Sequence, residues 1–112
     1  MRKNGLIIFL AAIAGAMAVA AGAFGAHAAS GTAVRWLQTG AQYQMVHAVA
    51  ALAAVSLQRG RIAAILFLVG GFIFAGSLYA MAFGAPRTLG AVAPIGGATL
   101  IAGWLALIFT KR

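Results

Sequence analysis

A chain of 112 residues that is 64% hydrophobic and 7% charged, with a mean hydropathy of +1.04, lies outside the range of a soluble domain, where roughly a quarter of residues carry charge. Its formal charge of +8 comes without a single Asp or Glu, and it has no Cys, which excludes side-chain carboxylate chemistry, disulfides, thiolate metal sites and a cysteine nucleophile. The eight cations stand singly or in pairs at the ends of apolar runs, so they read as topology markers and headgroup contacts; no basic stripe offers itself to nucleic acid.

A hydrocarbon core of about 30 Å takes about 20 apolar residues per helix, so the length allows four crossings and no separate soluble domain. The first predicted helix covers residues 6–28. Arg2 and Lys3, the apolar run after them and the small residues around Ala26-His27-Ala28 imitate a cleaved secretory signal. The run is longer than a usual signal core, so the segment is read as a transmembrane helix. Within it Ala14, Ala18, Gly22 and Ala26 recur every fourth residue, the small-residue spacing that lets helix backbones approach closely in lipid.

Ser30-Gly31-Thr32 is a turn and helix-start signal. Arg35 and Trp36 follow, a cation and an aromatic suited to the membrane interface. The second helix is therefore predicted to start in the interface over residues 32–41 and to cross at 42–57. Its strictly apolar part, 48–57, is short, which puts some of Gln42-Tyr43-Gln44-Met45-Val46-His47 at membrane depth. Gln58-Arg59-Gly60-Arg61 closes it with a basic turn. The third helix is predicted at 62–83, followed by the Gly84-Ala85-Pro86-Arg87 loop, and the fourth at 89–110. Pro94 near the start of the fourth, with Gly96 and Gly97 beside it, predicts a bend or a close helix approach. Trp104, deeper in the same helix, reads as a packing residue.

The cations orient this arrangement. Arg2, Lys3, Arg59, Arg61, Lys111 and Arg112 fall on one side and Arg35 and Arg87 on the other, so the positive-inside rule puts both termini in the cytoplasm. The expectation is an all-α membrane protein: a single domain of four transmembrane helices in an antiparallel bundle, N-in and C-in. In that topology His27, Tyr43, Gln44, His47, Ser77, Tyr79 and the Pro94 bend converge in the outer leaflet, while the cytoplasmic half is Ala, Leu, Ile, Val and Phe.

Tyr43, Gln44 and His47 are three and four residues apart and share one helix face, which in lipid should turn inward to find partners. Two readings stay open. The cluster of His27, Tyr43, Gln44, His47, Ser77 and Tyr79 is a small polar pocket, or it fastens the helices together at about 0.6 kcal/mol per hydrogen bond. Sharper chemistries fit less well. A metal held by His27 and His47 would need Met17, Met45 or Met81 as further ligands, a set that suits only soft Cu(I). Haem between the two His is disfavoured because both are expected near one surface. A Ser77–His47 hydrolase has no carboxylate to orient the imidazole, and no phosphate-loop element accompanies the glycines. No catalytic residue, metal or cofactor is therefore expected.

The ordered elements Gly22-Ala23-Phe24-Gly25-Ala26-His27, Tyr43-Gln44 with His47-Ala48, Gly76-Ser77-Leu78-Tyr79, Pro94-Ile95-Gly96-Gly97 and Gly103-Trp104 resemble the domain of unknown function 423 family of bacterial inner-membrane proteins over nearly the whole chain. Ala75 and Ala93 depart from the pattern, in which a hydroxyl residue precedes the third and fourth elements. The resemblance implies a small four-helix protein of the bacterial inner (plasma) membrane and names no substrate. The function expected is that of a non-enzymatic scaffold or accessory protein, or of a binder of lipid or another hydrophobic molecule; the alternative is a small transporter or channel with His47 as the titrating or ligand-contacting group. Membrane lipids, further copies of the chain and an unidentified membrane protein are the partners expected, with no nucleic acid among them.

Overall fold

The computed structural model describes residues 4–111; Arg2, Lys3 and Arg112, expected as topology markers, lie outside the described residues. The chain forms α1 (Gly5–His27), α2 (Thr32–Ala54), α3 (Arg61–Ala82) and α4 (Ala93–Leu107), with a short 3-10 helix at Arg87–Ala91 before α4. Among the described residues three segments are long and apolar enough to cross a membrane: α1, α3 and Arg87–Phe109. The 23 residues of α2 match α1 in length, but its amides, cation and imidazole keep it out of that group.

α2 and α3 pack along each other, α1 lies on α2, and α4 lies on α3. Among the described residues α4 has no comparable backbone packing with α1 or α2, so the helices form an open arrangement with extents of 44 × 24 × 17 Å. The interior is made of small residues: Ala11, Ala14, Ala48, Ala51, Ala54, Ala63 and Ala64 join Ile7, Phe67 and Leu68 in one core cluster. Large apolar side chains such as Phe9, Val19, Ile62, Ile101 and Phe109 point outward. This inverts the soluble pattern, as expected where the solvent is itself hydrocarbon and small residues let backbones approach.

The ends are tied by polar contacts. At one end Arg61 Nη1 donates to Asn4 Oδ1 at 3.3 Å, and Gln58 and Lys111 exchange two backbone hydrogen bonds of 2.7 and 2.9 Å. At the other, the Arg87 guanidinium lies 5.5 Å from the centre of the Trp36 ring, and Phe24 meets Phe83 with ring centres 5.3 Å apart.

One local expectation is corrected. The buried stripe of α1 is Ile7, Ala11, Ala14, Ala18 and Gly25; Gly22 is half-buried and Ala26 exposed. A strict four-residue repeat advances about 40° beyond a full turn at each step, so the fourth-residue series rotates out of the interface and Gly25 takes the place of Ala26. α2 is one continuous helix that begins at Thr32, where the turn and capping signal put its start, and Leu37, Gly40 and Ala41 are buried in its first half. Pro94 occupies the first turn of α4 and is exposed; its missing N–H falls where no intrahelical bond is due, and the close helix approach expected beside it is made by Gly96 against the Phe74 backbone.

Candidate functional site

The continuity of α2 decides where its polar residues lie. His47 is the sixteenth residue of the helix, roughly 22 Å from its start and about 10 Å from its end at 1.5 Å per residue. Gln44 and His47 therefore sit near the middle of α2 and towards its Ala54 end. They share the buried face with Gly40, Ala41, Ala48 and Ala51, three and four residues apart.

Gln44 is 1% exposed and is held from two sides. Tyr79 Oη of α3 donates to its Oε1 at 2.8 Å, and its Nε2 faces Met17 Sδ of α1 at 4.0 Å, a weak acceptor at the limit of range. Gly40 makes room for the phenol ring: a Cβ there would lie 2.6 Å from a Tyr79 ring carbon.

One turn further on, Trp104 Nε1 of α4 donates to His47 Nε2 at 2.9 Å. An indole N–H can only donate, so Nε2 is the unprotonated nitrogen and the ring proton resides on Nδ1, which donates to the Tyr43 carbonyl at 2.6 Å. Both nitrogens of a neutral imidazole are thus engaged. Rings enclose it: Phe67 at 5.5 Å and tilted, Trp104 at 5.7 Å and edge-on, and Tyr43 parallel at 6.3 Å. No buried side-chain nitrogen or oxygen among the described residues lacks a partner.

Through these side chains α2 reaches every other helix: α1 at Met17, α3 at Tyr79 and α4 at Trp104. The expected members of the cluster divide accordingly. Gln44, His47, Tyr79 and the half-exposed Tyr43 come together. Ser77 is buried but donates to the Phe74 carbonyl within α3 at 2.8 Å, and His27, the last residue of α1, is exposed and stands apart from the group. Gly96 is buried against the Phe74 backbone, while Gly97 borders a groove. Sequence reasoning missed Trp104 as the partner of His47. The pertinent signal was present, since an imidazole and an indole N–H inside lipid both require partners, but no spacing rule joins residues 57 apart.

Because the backbones of α2 and α4 stay apart while Trp104 reaches across to His47, a groove of about 430 Å³ opens between them, floored by Phe74 and lined by Tyr43, His47, Leu100 and Trp104. A smaller depression of about 230 Å³ shares Tyr43 and His47 with it and extends to Gln42. Gln42 also borders a polar depression of about 690 Å³ at Thr32, Arg35, Gln38 and Thr39. The three lie in succession along one side of α2.

The family described as "Protein of unknown function (DUF423)" matches residues 21–97 of the chain. A UPF0382 membrane protein of Haemophilus influenzae is 40% identical, over 89% of this chain and 88% of the relative. The UPF0382 inner membrane protein YgdD of Escherichia coli K12 is 40% identical, over 96% of this chain and 89% of the relative. A UPF0382 membrane protein of Staphylococcus haemolyticus is 36% identical, over 94% and 93%. No solved structure matches the chain.

Proposed function

The chain belongs to the DUF423 family of membrane proteins, and from that premise we propose that it is a non-enzymatic accessory protein of the bacterial inner membrane that holds a hydrophobic molecule in the groove between α2 and α4. In this reading all four helices cross the bilayer as an antiparallel bundle with both termini cytoplasmic. The pairing of Asn4 with Arg61 and of Gln58 with Lys111 supports it, because it gathers the start of α1, the α2–α3 turn and the end of α4 at one end, where Arg59, Arg61 and Lys111 stand among the described residues.

The observation that carries the function is the engagement of the interior polar groups. His47 presents no free nitrogen, and Gln44 and Tyr79 satisfy each other, so the polar residues position helices and shape a groove whose exposed lining is aromatic and aliphatic. A pocket with an apolar wall and a few fixed polar groups is the usual form of a site for a hydrophobic ligand. Transport through His47 would need water to reach the imidazole and a route past the alanine-packed core around Ala51 and Ala64, both 0% exposed.

The lack of native cysteine makes the test direct. In single-Cys variants, Ser56→Cys should react with a membrane-impermeant maleimide from the cytoplasmic side only and Thr88→Cys from the outer side only, while Ala51→Cys and Ala64→Cys should react from neither. Labelling of position 51 or 64 would replace this reading with a water-filled transport path.

A further inference from the structure

Resting on the reading that the groove takes a hydrophobic molecule, we propose that this molecule is a single phospholipid with an anionic headgroup, its phosphate at Arg35 and one acyl chain lying along α2 into the groove that ends at Trp104. The site is the succession of depressions along α2. Arg35, Gln38 and Gln42 are all exposed and fall at i, i+3 and i+7 on one face. None of the three side chains has a hydrogen-bonding partner among the described residues. They border the polar depression; Gln42 links it to Tyr43 and His47, and these link it to Leu100 and Trp104.

The polarity of this track runs in the order of an amphiphile. A guanidinium comes first, then two amides with N–H donors for phosphate and ester oxygens, then rings and aliphatic side chains. Arg35 to His47 spans twelve residues, roughly 18 Å, close to the roughly 15 Å thickness of one hydrocarbon leaflet. The amides lie where an unpartnered polar group is costly, since hydrocarbon offers it nothing, and lipid ester and phosphate oxygens are acceptors at that depth.

Charge selects the headgroup and the kind of occupant. The sequence holds no Asp or Glu, so no side-chain carboxylate can neutralise Arg35, whereas Arg87 at the same end lies over Trp36. An anionic lipid supplies the missing charge. A second copy seated on this face about an axis along the membrane normal would instead set Arg35 at the same depth as its own counterpart, with no acid in either chain to separate them.

The experiment uses Trp104 as the reporter. In the Trp36→Phe background, which keeps an aromatic ring beneath Arg87, the full chain is placed in phosphatidylcholine nanodiscs containing a minority of chain-brominated phosphatidylglycerol or, in parallel, of chain-brominated phosphatidylcholine. Bromine quenches an indole it touches. Trp104 should report an occupancy by phosphatidylglycerol about fivefold above that by phosphatidylcholine, which corresponds to the ~1 kcal/mol that one Arg contributes against an anionic headgroup. Arg35→Gln should abolish the preference and Arg35→Lys should keep most of it.

Equal quenching by the two lipids above the random level, unchanged in Arg35→Gln, overturns the headgroup assignment and leaves the groove as a site for hydrocarbon. Quenching at the random level for both overturns the headgroup assignment and the groove together. A disulfide-linked dimer of Gln42→Cys that forms whatever lipid is supplied gives this face to a second copy and overturns the lipid site.

Discussion

The α3–α4 crossing and the junctions made by α2 solve the same problem in opposite ways. Where α3 meets α4, glycines let the backbones approach until no side chain fits between them: a Cβ on Gly96 would stand 2.8 Å from Phe74 Cα and 2.9 Å from the Gly70 carbonyl oxygen. Where α2 meets its neighbours, side chains fill the space and hydrogen-bond across it. Hydrocarbon solvent gives no hydrophobic drive to pack helices, so close backbone contact and interhelical hydrogen bonds must do it. The glycine junction depends on shape and has no slack. The polar junction depends on donors and acceptors worth about 0.6 kcal/mol each on average, so it sets orientation more than it supplies stability.

The largest expected effect lies on the glycine side. Gly96→Val should lower stability by about 3 kcal/mol, read as a fall in thermal unfolding temperature in detergent, because the atoms it meets are backbone and cannot step aside. A tolerated Gly96→Val would break the contrast. Next comes Gln44→Leu, which leaves the Tyr79 hydroxyl without its acceptor and should cost about 1–2 kcal/mol. Adding Tyr79→Phe to that variant should cost little further, since the shared bond is already lost; full additivity would show that Gln44 and Tyr79 do not act as a pair. Trp104→Phe keeps a ring against Phe67 and removes only the N–H donor, for about 0.6–1 kcal/mol. The smallest effect on stability belongs to Arg35→Gln and Gln42→Leu, within about 0.5 kcal/mol of the parent, because both side chains are exposed and have no partner among the described residues; their effect should appear in lipid selectivity.

The helices themselves were legible because apolar length in lipid is a strong signal, and the small-residue pattern located the packing face of α1 as far as Gly22, where a Cβ would meet that of Ala41 at 3.6 Å. The start of α2 near Thr32 was legible from its turn and capping signal. Arg35, Gln38 and Gln42 are polar in the manner of an interfacial segment, yet they form one side of a helix whose other side, Leu37, Gly40 and Ala41, is buried. Tyr43, Gln44 and His47 were recognisable from helical spacing, whereas Ser77 and His27 were grouped with them by depth alone; depth does not fix which way a side chain turns. The bond from Trp104 to His47 depends on the crossing of α3 and α4, which brings the indole over the floor of the groove, and no local pattern encodes that.

The tautomer of His47 is the most direct test of the central claim that its imidazole is a structural junction with both nitrogens committed. In protein carrying 15N-labelled histidine, reconstituted in nanodiscs with His27→Gln to leave a single imidazole, nitrogen NMR should show a neutral ring with the proton on Nδ1 and a hydrogen-bonded, unprotonated Nε2. The Nε2 signal should move in Trp104→Phe. A doubly protonated ring, a proton on Nε2, or an Nε2 signal indifferent to Trp104→Phe would contradict the account and return His47 to the list of groups free to carry a proton.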